Sequence, residues 1–151
     1  MGKAVIENVV NIERPPVEVF DYASDHTHEM QWNPKMRSVR KLTQGPIGMG
    51  TQYEMEFVPG RPVIVTCVGF DRPQRWEAIG DTIGMHISLG GEVIPTAAGS
   101  RLTLRTQFEA NFPLGLTLPL MARRMRREMQ RDVETIKTIL ESSEAKPTAN
   151  V

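Results

Sequence analysis

The sequence predicts an α+β domain in which a curled antiparallel sheet packs around one long C-terminal helix. Short segments in which apolar and polar residues alternate follow one another between residues 36 and 109, as in half-buried antiparallel strands. The last long segment instead has apolar residues at three- and four-residue intervals, as an amphipathic helix does. With one strand and two short helices at the start, the sheet should contain about seven strands.

The N-terminal part is predicted to be one strand followed by two short helices. Lys3 to Glu13 is rich in β-branched residues without helical spacing, which favours a strand. Pro15 and Pro16 then end it, because proline cannot donate to a sheet ladder but suits the first turn of a helix. A short helix is predicted over residues 17–23 and a second helical turn over residues 25–34. The Asn-Pro pair stops that turn, because the residue before a proline avoids helical backbone.

The alternation of residue types also predicts which strand side chains face the core. Gly90 and Gly91 lie in the middle of a strand and predict a bulge or sharp bend where the sheet curls. Glu54, Glu56 and Glu109 fall on polar faces, so no paired inward carboxylates are predicted. The inward positions are Tyr53, Met55 and Phe57, then Met85, Ile87 and Leu89, then Leu102, Leu104, Thr106 and Phe108.

The C-terminal helix is predicted from about Pro119 to Glu141. Three methionines on its apolar face are unusual, because methionine is flexible and specifies a tight core poorly. They either fill an irregular core or form one wall of an adaptable apolar pocket. Residues 142–151 are small and polar and predict a flexible tail, which leaves residues 1–141 as a single domain. The apolar face consists of Met121, Met125, Met129, Val133, Ile136 and Leu140.

Composition excludes several classes of protein. The 18 basic and 18 acidic residues cancel, so nothing favours nucleic acid as a partner. The single cysteine, Cys67, excludes an internal disulfide and fits a reducing compartment. No apolar run approaches the ~18 residues of a membrane-spanning helix, and the N-terminus lacks a secretory signal. We therefore expect a cytoplasmic protein, and nothing in the sequence predicts its oligomeric state.

The histidines do not predict a metal site. His26, His28 and Glu29 offer possible ligands, but residues two apart on a helix do not share a face. A solvated helix surface is the favoured interpretation, although one of the two histidines could reach the mouth of a cavity. His86 has the parity of an outer strand face and is expected at the surface. No metal and no cofactor are predicted.

Catalytic motifs are also missing. No nucleophile elbow is present, and no glycine-rich phosphate loop leads from a strand into a helix. The inward polar groups amount to Tyr53, Thr106 and Thr66, which is little for proton transfer but adequate to orient one polar end of an apolar ligand. No catalytic residue is assigned, and Tyr53 and His28 remain weak candidates for an acid and a base.

Several motifs together resemble the START-like (SRPBCC) superfamily of polyketide cyclase/dehydrase and lipid-transport proteins. These are the segment Ile12 to Tyr22 with its Glu-Arg-Pro-Pro sequence, Trp32-Asn33-Pro34, Gly48-Met49-Gly50-Thr51 and the long C-terminal helix. The resemblance covers Lys3 to Leu140 and implies a helix-grip fold. It implies binding or transport of a lipid, polyketide, quinone or isoprenoid. The alternatives are a cyclase, aromatase or dehydratase-type enzyme, and a protein-interaction or stress-response module.

Because a sheet that grips one helix seldom fills its interior, the resemblance favours a pocket over a filled core. The partner would then be a small hydrophobic molecule held by the large inward side chains. The expected ligand-binding residues are Phe20, Trp32, Tyr53, Met55, Phe57, Trp76, Met85, Ile87, Leu104, Phe108, Met121, Met125 and Met129.

Basic residues cluster on the C-terminal helix within the region Arg123–Arg131, just after a leucine-rich approach over residues 114–120. A basic helix of this kind can make transient contact with an anionic membrane surface. The alternative is an ordinary solvated face, because acidic residues such as Glu128 and Asp132 dilute the charge.

Overall fold

The computed structural model of the protein describes residues 2–58 and 60–142. Within them a seven-stranded antiparallel sheet has the order β1-β7-β6-β5-β4-β3-β2, so β2 to β7 form a meander and β1 pairs with β7. The sheet is curled into a half-barrel around the long C-terminal helix, which confirms the predicted helix-grip fold. The strands are β1 (Gly2–Ile12), β2 (Met36–Lys41), β3 (Gln52–Phe57), β4 (Val63–Asp71), β5 (Arg75–Thr82), β6 (Met85–Pro95) and β7 (Ser100–Ala110).

Four helical segments accompany the sheet in the described residues. The helix α1 (Pro16–Ala23) has proline in its first turn, as predicted, and is followed by a 3-10 helix at His26–Gln31. A second 3-10 helix at Leu114–Leu116 precedes α2 (Leu118–Ser142). Among the described residues, no helix combines the length and the hydropathy that a membrane-spanning helix requires. The predicted C-terminal tail begins at Ser142, the last residue of α2, and its residues 143–151 lie outside the described residues.

The predicted bulge at Gly90 and Gly91 is wrong. β6 pairs without interruption with both β5 and β7 across this pair of glycines. The glycine at 91 is needed for a different reason, because a Cβ atom there would lie 2.3 Å from the indole ring of Trp76. The register shifts instead occur between Met36 and Ser38 in β2 and between Cys67 and Gly69 in β4.

The helix α2 divides into two halves that pack differently. In its C-terminal half, Ile136 and Leu140 are buried in a closed cluster with side chains of α1 and of the sheet. In its N-terminal half, Met125 and Met129 are only partly buried, because the sheet curls away from them. Met121 is 47% exposed, so its predicted inward orientation is wrong. The C-terminal half therefore belongs to the main closed core, whereas Leu118 at the start of the helix is buried in a separate small cluster with Ala4 and Ala110.

Candidate functional site

A cavity of about 850 Å³ lies between the N-terminal half of α2 and the inner face of the sheet. This volume is within the range of small-molecule sites. The segment after the first 3-10 helix closes one side, and the turns β3–β4 and β5–β6 border the opening. Its apolar wall contains Trp32, Phe57, Val63, Met85, Ile87, Leu89, Leu104, Phe108, Met125 and Met129.

The cavity brings together eight of the residues expected to bind a ligand. These eight come from the 3-10 helix region, three strands and α2, so only the tertiary fold makes them neighbours. The inward parity of the five strand residues places them on the concave face of the sheet, opposite the two methionines of α2. The eight residues are Trp32, Phe57, Met85, Ile87, Leu104, Phe108, Met125 and Met129.

The other five expected residues do not line the cavity. Phe20 and Trp76 pack edge to face in the closed core, with ring centroids 5.4 Å apart. Tyr53 and Met55 are buried in a second closed cluster formed by β2 to β5. Met121 is on the surface. Four of the five face inward as their parity predicts, but other side chains cover them.

Tyr53 and His28 are not arranged as an acid–base pair. The Tyr53 hydroxyl is buried without a hydrogen-bond partner among the described residues. Its burial, followed by the nearby charge of Asp25, raises the pKa of the phenol, while the backbone of His26 acts in the opposite direction. His28 stacks on the ring of Tyr22 at 4.5 Å, and its Nδ1 is 2.9 Å from the carbonyl oxygen of the same residue. Neither candidate touches the cavity.

Two buried carboxylates line the cavity, whereas the sequence predicted no paired inward carboxylates and a solvated helix surface at Glu29. Glu29 is 6% exposed and Asp132 is 8% exposed, and both are part of the wall. Asp132 lies three residues after Met129 and four before Ile136, so it interrupts the apolar face of α2. That position is visible in the sequence, but strand alternation, on which the prediction of inward residues rests, says nothing about a carboxylate on a helix.

The two buried carboxylates differ in their partners. The Oε1 atom of Glu29 is 3.2 Å from Nδ1 of His26, and its Oε2 atom accepts a hydrogen bond of 3.2 Å from the Asn33 amide. Asp132 makes no hydrogen bond or ion pair with any of the described residues. Burial, then the charges of Glu29 and Glu128, raise the pKa of the Asp132 carboxyl to about 7, and Lys35 acts in the opposite direction. Asp132 is thus poised to exchange a proton near neutral pH.

Two other polar side chains of the wall, those of Glu128 and Asn8, already have hydrogen-bond partners. Glu128 accepts hydrogen bonds from Lys35 and Arg124, and these bonds lower the pKa of its carboxyl. The Asn8 amide donates to the carbonyl of Arg126 at 3.1 Å and to Gln130 Oε1 at 3.0 Å, which ties β1 to α2.

The described residues offer no group of three or more histidine, cysteine, aspartate or glutamate side chains that could hold a metal ion. His86 lies on the outer face of β6, as expected, with Nδ1 2.7 Å from Oδ1 of Asp81.

Comparison with solved structures finds the same fold in proteins of distant sequence. Ara h 8.0201 superposes with a TM-score of 0.68 at 18% identity, covering 93% of this chain and 99% of that one. A START superfamily protein from Mycobacterium smegmatis gives 0.74 at 12% identity, covering 91% and 97%. The di-domain ARO/CYC StfQ from the steffimycin biosynthetic pathway gives 0.75 at 10% identity, covering 95% and 52%. At such identities the likeness is one of fold alone.

Sequence comparison identifies the family. No curated protein matches the chain. The family model described as polyketide cyclase / dehydrase and lipid transport matches residues 3–141, which include the motifs before α1 and the whole cavity wall. The protein therefore belongs to the polyketide cyclase/dehydrase and lipid transport family.

Proposed function

We propose that the protein binds or carries a small hydrophobic molecule, such as a lipid, polyketide, quinone or isoprenoid, in the cavity between α2 and the sheet. The observation that carries this proposal is an apolar cavity of about 850 Å³ in a chain of 151 residues. A well-packed core leaves few voids larger than a water molecule, so a space of this size is not a packing defect. Burial of apolar ligand surface, at about 25 cal/mol per Å², would supply the affinity.

Thr106 is the group that would orient the ligand along the sheet. It lines the cavity from β7, whereas Tyr53 is enclosed in the second cluster. A hydroxyl of this kind can accept or donate one hydrogen bond without disturbing the apolar wall. A closed-core protein-interaction module is the less suitable alternative, because it has no use for a cavity above roughly 300 Å³.

Filling the cavity tests the binding function. Leu104 lines the cavity, and a Leu104→Trp variant should occupy the ligand space and weaken binding of an apolar fluorescent probe by at least about tenfold. Arg105→Trp is the matched control, because the neighbouring side chain lies on the outer face and pairs with Glu7 at 3.3 Å. Native mass spectrometry before and after denaturing extraction would identify the cargo. Absence of cargo together with absence of probe binding would reject the proposal.

A cyclase or dehydratase-type enzyme is the second candidate function, and Asp132 is the observation that favours it. A carboxyl with a pKa of about 7 on an apolar wall can act as general acid or base near neutral pH. This candidate predicts turnover of a polyketide-like substrate that is lost in Asp132→Asn and retained in Tyr53→Phe and His28→Ala. Equal turnover in all three variants would exclude this assignment.

The binding function also needs a route for cargo exchange, and we assign it to an exposed apolar rim, of which Ile83 also lines the cavity. The rim consists of Ile83, Phe112, Leu114, Leu116, Leu120 and Met121, which are between 42% and 87% exposed. A hydrogen bond of 3.2 Å from Asn111 to the carbonyl of Gly84 holds the β5–β6 turn against the rest of the rim.

Exposed arginines follow the rim along α2 from Arg123 to Arg131, and Arg131 itself lines the cavity. Apolar side chains next to a basic helix are suited to an anionic membrane surface. The apolar side chains enter the headgroup boundary, and the arginine side chains contact the lipid phosphates. The proposed partner of the rim is therefore an anionic lipid bilayer.

A further inference from the structure

Asp132 is a charged side chain that the fold leaves unsatisfied. It is 8% exposed, it belongs to the wall of an apolar cavity, and no described residue gives it a hydrogen bond or an ion pair. A buried carboxylate without a partner is costly, and native proteins rarely retain one without a purpose. Its position on the apolar face of α2 means that a hydrophobic residue would suit the fold better. The missing partner is therefore expected to come from what occupies the cavity.

Neighbouring side chains do not supply that partner. Glu29 and Glu128 are acceptors themselves and already bind other side chains. The Asn8 amide donates both of its hydrogen bonds to α2. The Trp32 indole nitrogen is buried, and no described residue gives it a hydrogen bond either. None of these side chains therefore donates a hydrogen bond to Asp132.

On the basis of the proposed binding function, we infer that the cavity selects apolar molecules that carry a protonated amine. The amine forms an ion pair with Asp132. Three carboxylates, Glu29, Glu128 and Asp132, are part of the same wall. A protonated amine brought to Asp132 donates a charge-assisted hydrogen bond to a carboxylate that accepts none from the described residues. A fatty acid or another anionic lipid would instead bring a like charge, which is unfavourable in a poorly solvated space. The ligand class is accordingly a hydrophobic amine.

Basic side chains at the cavity do not cancel this preference. Lys35 lines the cavity from the segment after the 3-10 helix, but it is bound to Glu128. Arg131 on α2 and Arg61 on the β3–β4 turn line the cavity and are exposed to solvent at its mouth. Water and salt screen such exposed charges far more than a buried pair. The buried carboxylate of Asp132 is therefore the poorly screened charge with which a bound ligand interacts.

A matched set of three probes tests the inference: naphthylethylamine, naphthylethanol and naphthylacetate share one apolar skeleton and differ in the charge of the polar end. For the wild-type protein at pH 7.5, we expect the amine to bind at least about tenfold more tightly than the acetate, with the alcohol between them. In Asp132→Asn the amine and the alcohol should bind within about twofold of each other. Glu134→Gln is the control, because it removes a negative charge from an exposed position of the same helix outside the cavity wall.

Binding of the alcohol distinguishes a failure of the amine preference from a failure of the binding function. If the alcohol binds wild type and Asp132→Asn equally, the cavity is intact and apolar binding stands. If the acetate then binds wild type as well as the amine does, or the preference for the amine persists in Asp132→Asn, the inference is wrong. If no probe binds the folded wild-type protein, the binding function itself fails.

A second readout is proton release on binding of the amine. At pH 6.5, binding should expel roughly three quarters of a proton from a carboxyl whose pKa is about 7. Calorimetry in two buffers of different ionisation enthalpy measures this release.

Discussion

Asp132 and Glu29 are both more than nine-tenths buried on the wall of one apolar cavity, and the negative charge of Glu29 helps to raise the pKa of the Asp132 carboxyl. They come from α2 and from the first 3-10 helix, so the fold alone brings them together. Such an arrangement lowers the stability of the unoccupied protein in exchange for a site with defined charge. The first prediction measures that cost.

Asp132→Asn should stabilise the empty protein more at high pH than at low pH. The carboxyl pKa is about 7 in the folded state against an ordinary value of 3.8, so the folded protein retains the proton after the unfolded chain has released it. The contribution of this group to stability is therefore full below about pH 4 and is lost as the pH rises through 7. The variant should gain about 2 kcal/mol more over wild type at pH 8 than at pH 5, measured by urea unfolding. Parallel pH profiles of the two proteins would contradict this prediction, and Glu134→Gln serves as the control.

Met125 at the cavity and Met55 in a closed cluster should respond differently to truncation to alanine. Met125→Ala should enlarge the ligand space and cost roughly 1 kcal/mol of unfolding free energy, because this side chain borders an existing cavity. Met55 is 0% exposed in a closed cluster, so Met55→Ala should cost about 2–5 kcal/mol. Urea unfolding gives both values, and binding of probes of increasing length shows the enlargement. A Met125→Ala variant as unstable as Met55→Ala would place Met125 in a filled core.

The strands and their inward faces were predictable from the sequence because alternation has a period of two and each strand buries one face. Tyr53, Met85 and Leu104 all face inward as their parity requires. Parity does not reveal what covers an inward residue. Tyr53 is covered by the ring of His26, with ring centroids 5.1 Å apart, whereas Leu104 lines the cavity. That difference depends on the path of the first 3-10 helix, which no local pattern encodes.

The apolar face of α2 was likewise predictable, but the distance between helix and sheet was not. Met121, Met125 and Ile136 share one helical face, yet they are respectively exposed, at the cavity and in the closed core. The curl of the sheet decides where the helix touches it, and curl results from many small backbone twists. Asp132 was missed although it interrupts that face, because charged residues were assigned to the solvated side.

Gly91→Ala should destabilise the closed core next to the cavity. A Cβ atom at this position would lie within 2.3 Å of the Trp76 ring, so the indole or the strand must shift. Overpacking of this kind costs about 1–3 kcal/mol, measured as a lower unfolding midpoint and a change in tryptophan fluorescence. Gly48→Ala is the control, because a Cβ atom there has no neighbour within 4 Å. Equal stability of the two variants would show that Trp76 moves without cost.

Membrane contact through the apolar rim is open to a direct test with vesicles. Wild-type protein should cosediment with vesicles that contain phosphatidylserine and only weakly with pure phosphatidylcholine, because the arginines of α2 need anionic headgroups. Leu116 and Leu120 are 66% and 82% exposed, so the double change Leu116→Asp and Leu120→Asp should reduce binding at least about tenfold with little effect on stability. Ile64→Asp, at an exposed position of β4 distant in sequence from the rim, controls for added charge. Binding that survives the double change would exclude the rim as the docking surface. Binding that persists undiminished at high salt would exclude the contribution of the arginines, since headgroup attraction is screened by salt.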